Sequence, residues 1–303
     1  MSNKTHEVVE ILGIEHHLAV DPESLNEAGV VWTPAVRALA SAVAPIIEAR
    51  QASHSLATSS SDADGTGPRS RPMRVLELGA GTGALGIALA CSLPNIHVTL
   101  TDLAPVVPLM NTNADTTRDA GKLADGSETH VAELAWSRDA VLALNGGRDA
   151  SSGGGGGTEG GTHGGRDASA SRERWDVVLG CEILYWGGWD VFADDTRGPL
   201  LEACIAACER GGAEGADTAV SSPPTLVVLA FTVRDQGRES GFVSKDFGEK
   251  FWLRLLDGGA NVCVCGDEDE VTLARMDADA RARTEAEEEG DLLVLGAVAK
   301  HSK

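Results

Sequence analysis

The sequence predicts an α/β fold of the Rossmann-like kind: a seven-stranded, mainly parallel sheet with helices on both faces. Two observations carry that prediction. Apolar runs of strand length alternate with segments of helical spacing along 303 residues, the rhythm of a parallel sheet covered on both faces. The stretch RVLELGAGTGALGIALA, Arg74 to Ala90, breaks an apolar run with Gly79, Gly81, Gly83 and Gly86 and resumes with helical spacing, so it reads as strand, tight turn, helix. Glycines there let backbone N–H groups approach a ligand without a Cβ in the way, and the following helix points its N-terminus at the same place.

Taken in order, residues 1–31 hold a short apolar pattern (Val8, Val9, Ile11, Leu12, Ile14) read as a strand or hairpin over the core. Thr33 and Pro34 open a helix whose apolar positions, Val36 to Ile47, recur to about Arg50. Residues 51–71, rich in Ser, Ala, Asp and Gly, read as a flexible connection. After the glycine turn, Asn95–Thr101 is a second strand stopping at Asp102, and the interval from Gly83 to Asp102 suits a strand-helix-strand unit with an acid at the second strand's tip. A helix from Val106 to Asn113 and a third strand, His130–Leu134, follow. Residues 145–171 then interrupt with a glycine tract in which GGRDAS occurs at Gly146 and again at Gly164, read as an expanded loop that buries too little apolar surface to order itself. The rhythm resumes with a fourth strand at Trp175–Gly180, a helix at 198–209, a polar connection at about 211–224 and a fifth strand at Thr225–Phe231. A helix from Gly241 to Leu256, a sixth strand at Asn261–Cys265 and a seventh at Leu292–Ala299 complete the reading. The division expected is an N-terminal extension, 1–31, and one domain, 32–303, with the three low-complexity stretches as insertions.

Composition narrows the function. With 42% hydrophobic residues the chain can bury a full core. A formal net charge of -21 argues against a nucleic-acid partner, which needs clustered Lys and Arg, and favours a basic or neutral one. Part of that charge, Asp267 to Asp291, reads as a solvated loop. The six cysteines form neither a CxxC pair nor a secreted framework, and they read as reduced core residues rather than a metal site. The N-terminus lacks the pattern of a signal or transit peptide, and no apolar run reaches the ~20 residues that span a bilayer. The expectation is a cytoplasmic monomer, the nucleus standing second as a location, and no membrane contact.

Gly81 to Gly86 formally satisfies GxGxxG, so a dinucleotide has to be weighed. Against it stands Glu77: a carboxylate at the strand end is poorly placed beside a pyrophosphate and well placed beside an ammonium group. S-adenosylmethionine carries an ammonium and a sulfonium and no phosphate.

At this point the chain resembles the seven-stranded methyltransferases, and more narrowly the lysine methyltransferases of methyltransferase family 16. The pieces that carry the likeness run in order: VVWTPAVRALA around Trp32, VLELGAGTG at Val75–Gly83, VTLTD ending at Asp102, VAELAW ending at Trp136, and WDVVLGCEILYW at Trp175–Trp186. The resemblance covers about Val31 to Lys300 apart from the insertions, and implies an antiparallel last strand and S-adenosylmethionine as cofactor. It implies that Glu77, Gly79, Ala80, Gly81 and Gly83 line the methionine end, that Asp102 accepts from both ribose hydroxyls, and that Trp136 flanks the adenine. Trp32 would cover the donor near the glycines and Cys181 would take the family's small residue beside it. The acidic-x-x-Tyr signature falls on Glu182 and Tyr185, with Glu one methylene longer than the family's usual Asp.

Each of these residues has a plainer reading as well: core packing for the tryptophans and Tyr185, a helix cap for Asp102, a helix N-terminal acid for Glu182. The activity implied is methyl transfer to a lysine nitrogen of a protein. A small molecule or another side chain as acceptor, or a non-catalytic donor-binding module, stands beside it.

Overall fold

Residues 5–24, 28–58, 71–146, 175–184, 196–209, 223–233, 241–256 and 292–300 are described in the computed structural model. The chain opens with an antiparallel hairpin, β1 (Thr5–Ile11) and β2 (Ile14–Val20), turned by Leu12 and Gly13, both at positive φ. A two-residue turn of that hand matches the right-handed twist of the strands it joins. Val9, Ile11 and Leu18 face inward and join the main core.

Helix α1 (Thr33–Thr58) begins where the sequence places it but extends past Arg50. Its polar end stays helical because Gln51 reaches across to donate to the Pro94 carbonyl (2.7 Å), while the Ser53 hydroxyl bonds back to Ala49 (2.9 Å). The expected connection at 51–71 is therefore helix up to Thr58, and 59–70 lie outside the described residues.

The sheet is built from β3 (Met73–Leu78), β4 (Ile96–Asp102), β5 (Glu128–Glu133), β6 (Val177–Cys181), β7 (Leu226–Thr232), β8 (Phe251–Leu255) and β9 (Leu292–Ala299). Their spatial order is β5-β4-β3-β6-β7-β9-β8. Strands β5 through β7 pair in parallel, and β9 runs antiparallel between β7 and β8. Seven strands, mainly parallel, with the last reversed, is the architecture expected.

Period-2 alternation distributes the side chains. Val75 and Val228 face the layer containing α1, α2 (Ala84–Ser92) and α3 (Val107–Asp119), whereas Leu76, Leu78, Val227 and Leu229 face that of α4 (Arg138–Gly146) and α5 (Arg197–Cys208). All six residues of β3 are buried, as a central parallel strand requires.

The sixth strand corrects the sequence reading. It is Phe251–Leu255, taken from what the apolar spacing marks as the end of a helix, and Asn261–Cys265 lie outside the described residues. The helical part is a π-helix, Phe242–Phe247, followed by the short turn Gly248–Lys250. Phe242, Phe247 and Phe251 pack as successive rings, Phe247 and Phe251 stacked at 4.3 Å between centroids. Spacings of five and four between aromatics imitate a helix face, but beyond Phe251 burial alternates, with Leu253 inside and Trp252 and Arg254 half-buried.

At the amino ends of the strands Asp176 is a buried junction. Its carboxylate accepts from the Arg74 N–H (2.8 Å) and from both terminal nitrogens of Arg71 (2.8 and 2.6 Å), and its carbonyl accepts from Arg50 (2.9 Å). Among the described residues no helix is long and apolar enough to cross a membrane.

Candidate active site

The chain leaves β3, moves through α2 to β4 and β5 on one side, and returns to β6 on the other side of β3. Carboxyl ends of strands at such a reversal leave a crevice, the usual place for a ligand in an open α/β sheet. The residues at that edge are those of the glycine turn, Asp102, the segment after β5, Cys181 and Glu182.

The turn takes its shape from glycine. Gly79, Gly81 and Gly83 have φ of 63°, 56° and 78°, the left-handed region that favours residues without a Cβ. Space is equally restrictive: a Cβ on Gly79 would lie 2.7 Å from Ile183 Cγ2 and 3.4 Å from the Trp136 ring, and one on Gly81 would lie 2.6 Å from the Ala28 carbonyl oxygen. Ala80 is held in the turn by its N–H to the Thr101 carbonyl (2.9 Å) and by its own carbonyl, which accepts from Gly83 (2.7 Å).

Two carboxyl groups bracket the turn. Glu77 is buried at 2% exposure on the α2 side of β3, and its Oε2 accepts the N–H of Gly86 in the first turn of α2 (2.9 Å). Burial pushes its pKa up to about 8; the Gly86 hydrogen bond opposes that shift and the neighbouring Asp102 adds to it. Asp102, the last residue of β4, accepts from Gly81 N–H through Oδ2 (2.8 Å) and from Leu103 N–H through Oδ1 (2.7 Å). Its pKa is also raised by burial, with those two backbone bonds pulling the other way. Asp102 does not cap α3, which starts at Val107 from Val106 without a side-chain cap; one of its oxygens serves the next residue in the chain instead. A carboxylate has about four lone-pair positions, so each oxygen retains one for a ligand.

Beyond β5, Trp136 is half-buried with its ring edge over Gly79. Cys181 ends β6 half-exposed between the carboxyls of Glu77 and Glu182, and burial followed by those two charges drives its thiol pKa well up, so it stays a neutral thiol. Glu182 has φ 54°, a strained value for a residue with a side chain. Its N–H donates to the Ala230 carbonyl (2.7 Å) and its Oε1 accepts the Thr232 hydroxyl (2.6 Å), so backbone and side chain are both anchored on β7. Residues 181–184 form strand end and loop rather than a helix N-terminus. Trp32 is 41% exposed immediately before α1, on the segment whose Ala28 carbonyl meets Gly81. Tyr185 and Trp186 lie outside the described residues, as does the acidic segment 267–291.

The donor chemistry of this crevice is selective. Two acceptor carboxyl groups against a turn of approaching backbone suit a ligand with a cationic end and a diol. Residues 17–145, the part of the chain that carries α1, the glycine turn, Asp102 and Trp136, match the family model described as lysine methyltransferase. Over that stretch, fewer than half of its residues, the chain is similar to the lysine methyltransferases. S-adenosylmethionine, not a dinucleotide, is the cofactor that fits this crevice.

No curated protein matches the chain significantly. Among solved structures it is similar to precorrin-6y C5,15-methyltransferase from Geobacter metallireducens, at 12% identity over 94% of each chain with a TM-score of 0.37. It is also similar to magnesium protoporphyrin IX methyltransferase from Synechocystis, solved with bound S-adenosylmethionine, at 12% identity over 91% of this chain and 85% of that one, TM-score 0.35.

The structure gathers Glu77, Gly79, Ala80, Gly81, Gly83, Asp102, Trp136, Cys181 and Glu182 at one edge of the sheet; for Trp32 it shows an exposed ring just before α1, four residues beyond the Ala28 that meets Gly81. Sequence reasoning passed over Ile183, Thr232 and Asn113. Ile183 closes the crevice against Gly79 and Gly180, and a bulky residue two past a strand end was the available signal. For Thr232 the signal was a hydroxyl at the carboxyl end of the fifth sheet strand.

Proposed function

We propose that this chain is a methyltransferase that acts on a lysine side-chain nitrogen of a protein. The observation that carries the proposal is Glu182, a carboxylate fixed by Thr232 at the mouth of β6, one residue from the Ile183 side chain that packs on the glycine turn. The lysine methyltransferase match over 17–145 and the net charge of -21 support a basic protein partner over a neutral metabolite.

In this reading Glu77 and the turn from Gly79 to Gly83 hold the cationic amino-acid end of S-adenosylmethionine. Asp102 takes its ribose hydroxyls, Trp136 and Trp32 cover it, and Cys181 leaves room beside it. The cofactor supplies an electrophilic methyl group on a positively charged sulfur. Glu182 and Tyr185 orient the incoming amine by hydrogen bonds, with Glu182 itself held in place by the Thr232 hydroxyl on its Oε1. The attacking nitrogen must be neutral, and partial desolvation at the crevice lowers a lysine's pKa toward that state. Rate then comes chiefly from positioning.

Incubation with labelled donor and a cell lysate tests the proposal. Labelled protein is expected, with Glu182→Ala and Tyr185→Phe each lowering transfer about a hundredfold while S-adenosylhomocysteine binding stays within about twofold. Label in small metabolites instead, or binding without transfer, would overturn it in favour of a small-molecule enzyme or a binding module.

A further inference from the structure

The buried amide of Asn113, in the middle of α3, makes three hydrogen bonds to two distant pieces of chain. Its Oδ1 accepts from Ala19 N–H (2.7 Å), and its Nδ2 donates to the Ala19 carbonyl (3.0 Å) and to the Thr82 carbonyl (2.9 Å). Ala19 lies on β2, where the amide completes its outer edge as a neighbouring strand would. Thr82 is buried between Gly81 and Gly83, both held at positive φ. Asn113 is 1% exposed, so no water competes for these bonds.

The same hairpin reaches the turn a second time. Past Val20 the chain folds back through Asp21 N–H to the Gly29 carbonyl (2.9 Å), and the adjacent Ala28 carbonyl rests where a Cβ of Gly81 would be. The glycine turn is thus covered at Gly81 by the Ala28 carbonyl and tied at Thr82, through the Asn113 amide, to β2.

We propose that the N-terminal hairpin is a built part of the methyl-donor pocket, with Asn113 as the positioning residue that ties it to the glycine turn. The inference rests on the reading that the donor occupies that turn. Asn113 touches no donor atom; it sets the path of the Thr82 peptide and, through Ala19, the segment that passes over Gly81. Donor binding and hairpin order are then coupled in both directions.

The test uses the full-length protein with S-adenosylhomocysteine as probe. Asn113→Leu removes all three bonds at similar volume and is expected to weaken binding about tenfold, the loss of roughly one buried hydrogen bond's worth of loop order. Leu253→Ala, an equally disruptive core change on the opposite face of the sheet, should leave affinity within about twofold among folded molecules, which separates positioning from general stability. In the wild type, hydrogen exchange needs no variant to fold: the probe should slow exchange of the β2 amides Leu18 to Val20 together with those of the turn. Protection confined to the turn, or wild-type affinity in Asn113→Leu, would overturn the proposal. Gly81→Val distinguishes the underlying reading, because undiminished binding there would mean that the donor lies elsewhere, whereas loss there with Asn113→Leu intact would sink only the coupling.

Discussion

Glu77 offers the sharpest test of how the crevice works. Its carboxyl is buried with one backbone hydrogen bond, and its pKa stands at about 8 against an ordinary 4.5. As pH rises above 4.5 the unfolded chain loses this proton while the folded chain keeps it, so the folded state binds more protons and stability falls with pH until about 8, then levels. At 1.36 kcal/mol per unit, burying Glu77 costs the empty protein about 3 kcal/mol of stability at pH 7 and about 5 kcal/mol well above pH 8. Glu77→Gln keeps an acceptor for the Gly86 N–H and never ionises. The variant should therefore melt above the wild type, with the gap widening by about 3.5 kcal/mol between pH 5 and pH 8, or roughly 5 °C at this chain length.

Donor binding reverses the preference, because the ligand's ammonium group needs the ionised form. In this reading wild-type Glu77 gives up close to one proton at pH 7 when S-adenosylhomocysteine binds, seen as a dependence of calorimetric heat on the buffer's ionisation enthalpy. Glu77→Gln should show no such release and bind about thirtyfold more weakly, the worth of one charge-assisted hydrogen bond. A melting gap that is flat with pH, or undiminished binding by the glutamine variant, would refute the argument that this acid is the ammonium's partner.

Two further outcomes follow from hydrogen bonds on opposite edges of the sheet. Thr232→Val preserves shape but strips the hydroxyl from Glu182 and should lower methyl transfer about tenfold with donor affinity unchanged, while Thr232→Ser restores transfer; a valine variant with full activity would deny Thr232 this role. Asp176→Ala leaves the Arg74 N–H and the Arg71 guanidinium without their acceptor and should cost about 3 kcal/mol of stability in chemical denaturation, discounted from the upper range because Arg71 is partly exposed, with no change in donor affinity.

The parts of this structure that were legible in the sequence are those in which the cause is local. Val75 to Gly83 contains its own strand, its own turn and the acid beside it, so both conformation and chemistry could be read from adjacent letters. Asp102 was legible because strand β4 delivers its last side chain to the same edge as β3, a consequence of parallel pairing in which Leu78 stands beside Thr101. The β8 strand was hidden because Phe242, Phe247 and Phe251 keep an aromatic stripe through a π-helix, and only a five-residue alternation marks the change. The far end of α1 was hidden for the opposite reason: exposed polar residues look the same on a helix as in a loop, and a glutamine contact 43 residues away decides the matter. Asn113 and Thr232 act across 94 and 50 residues, on a backbone and a carboxylate whose positions are known only once the sheet has formed.

That last pair bears on the one departure from the family's pattern, glutamate where aspartate is usual. A longer side chain on an ordinary strand end would carry its carboxylate further into the crevice. Here the backbone of Glu182 turns into the left-handed region, its N–H is drawn to Ala230, and its carboxylate is held back against β7 by Thr232. The extra methylene is taken up by that detour, so the position of the carboxylate is set by the anchor on β7 and not by the length of the chain bearing it. On this argument the glutamate signals a differently supported carboxylate with the same task, and Glu182→Asp, which keeps the charge but cannot span to the Thr232 hydroxyl from the same backbone, should be impaired where the family's own aspartate is not.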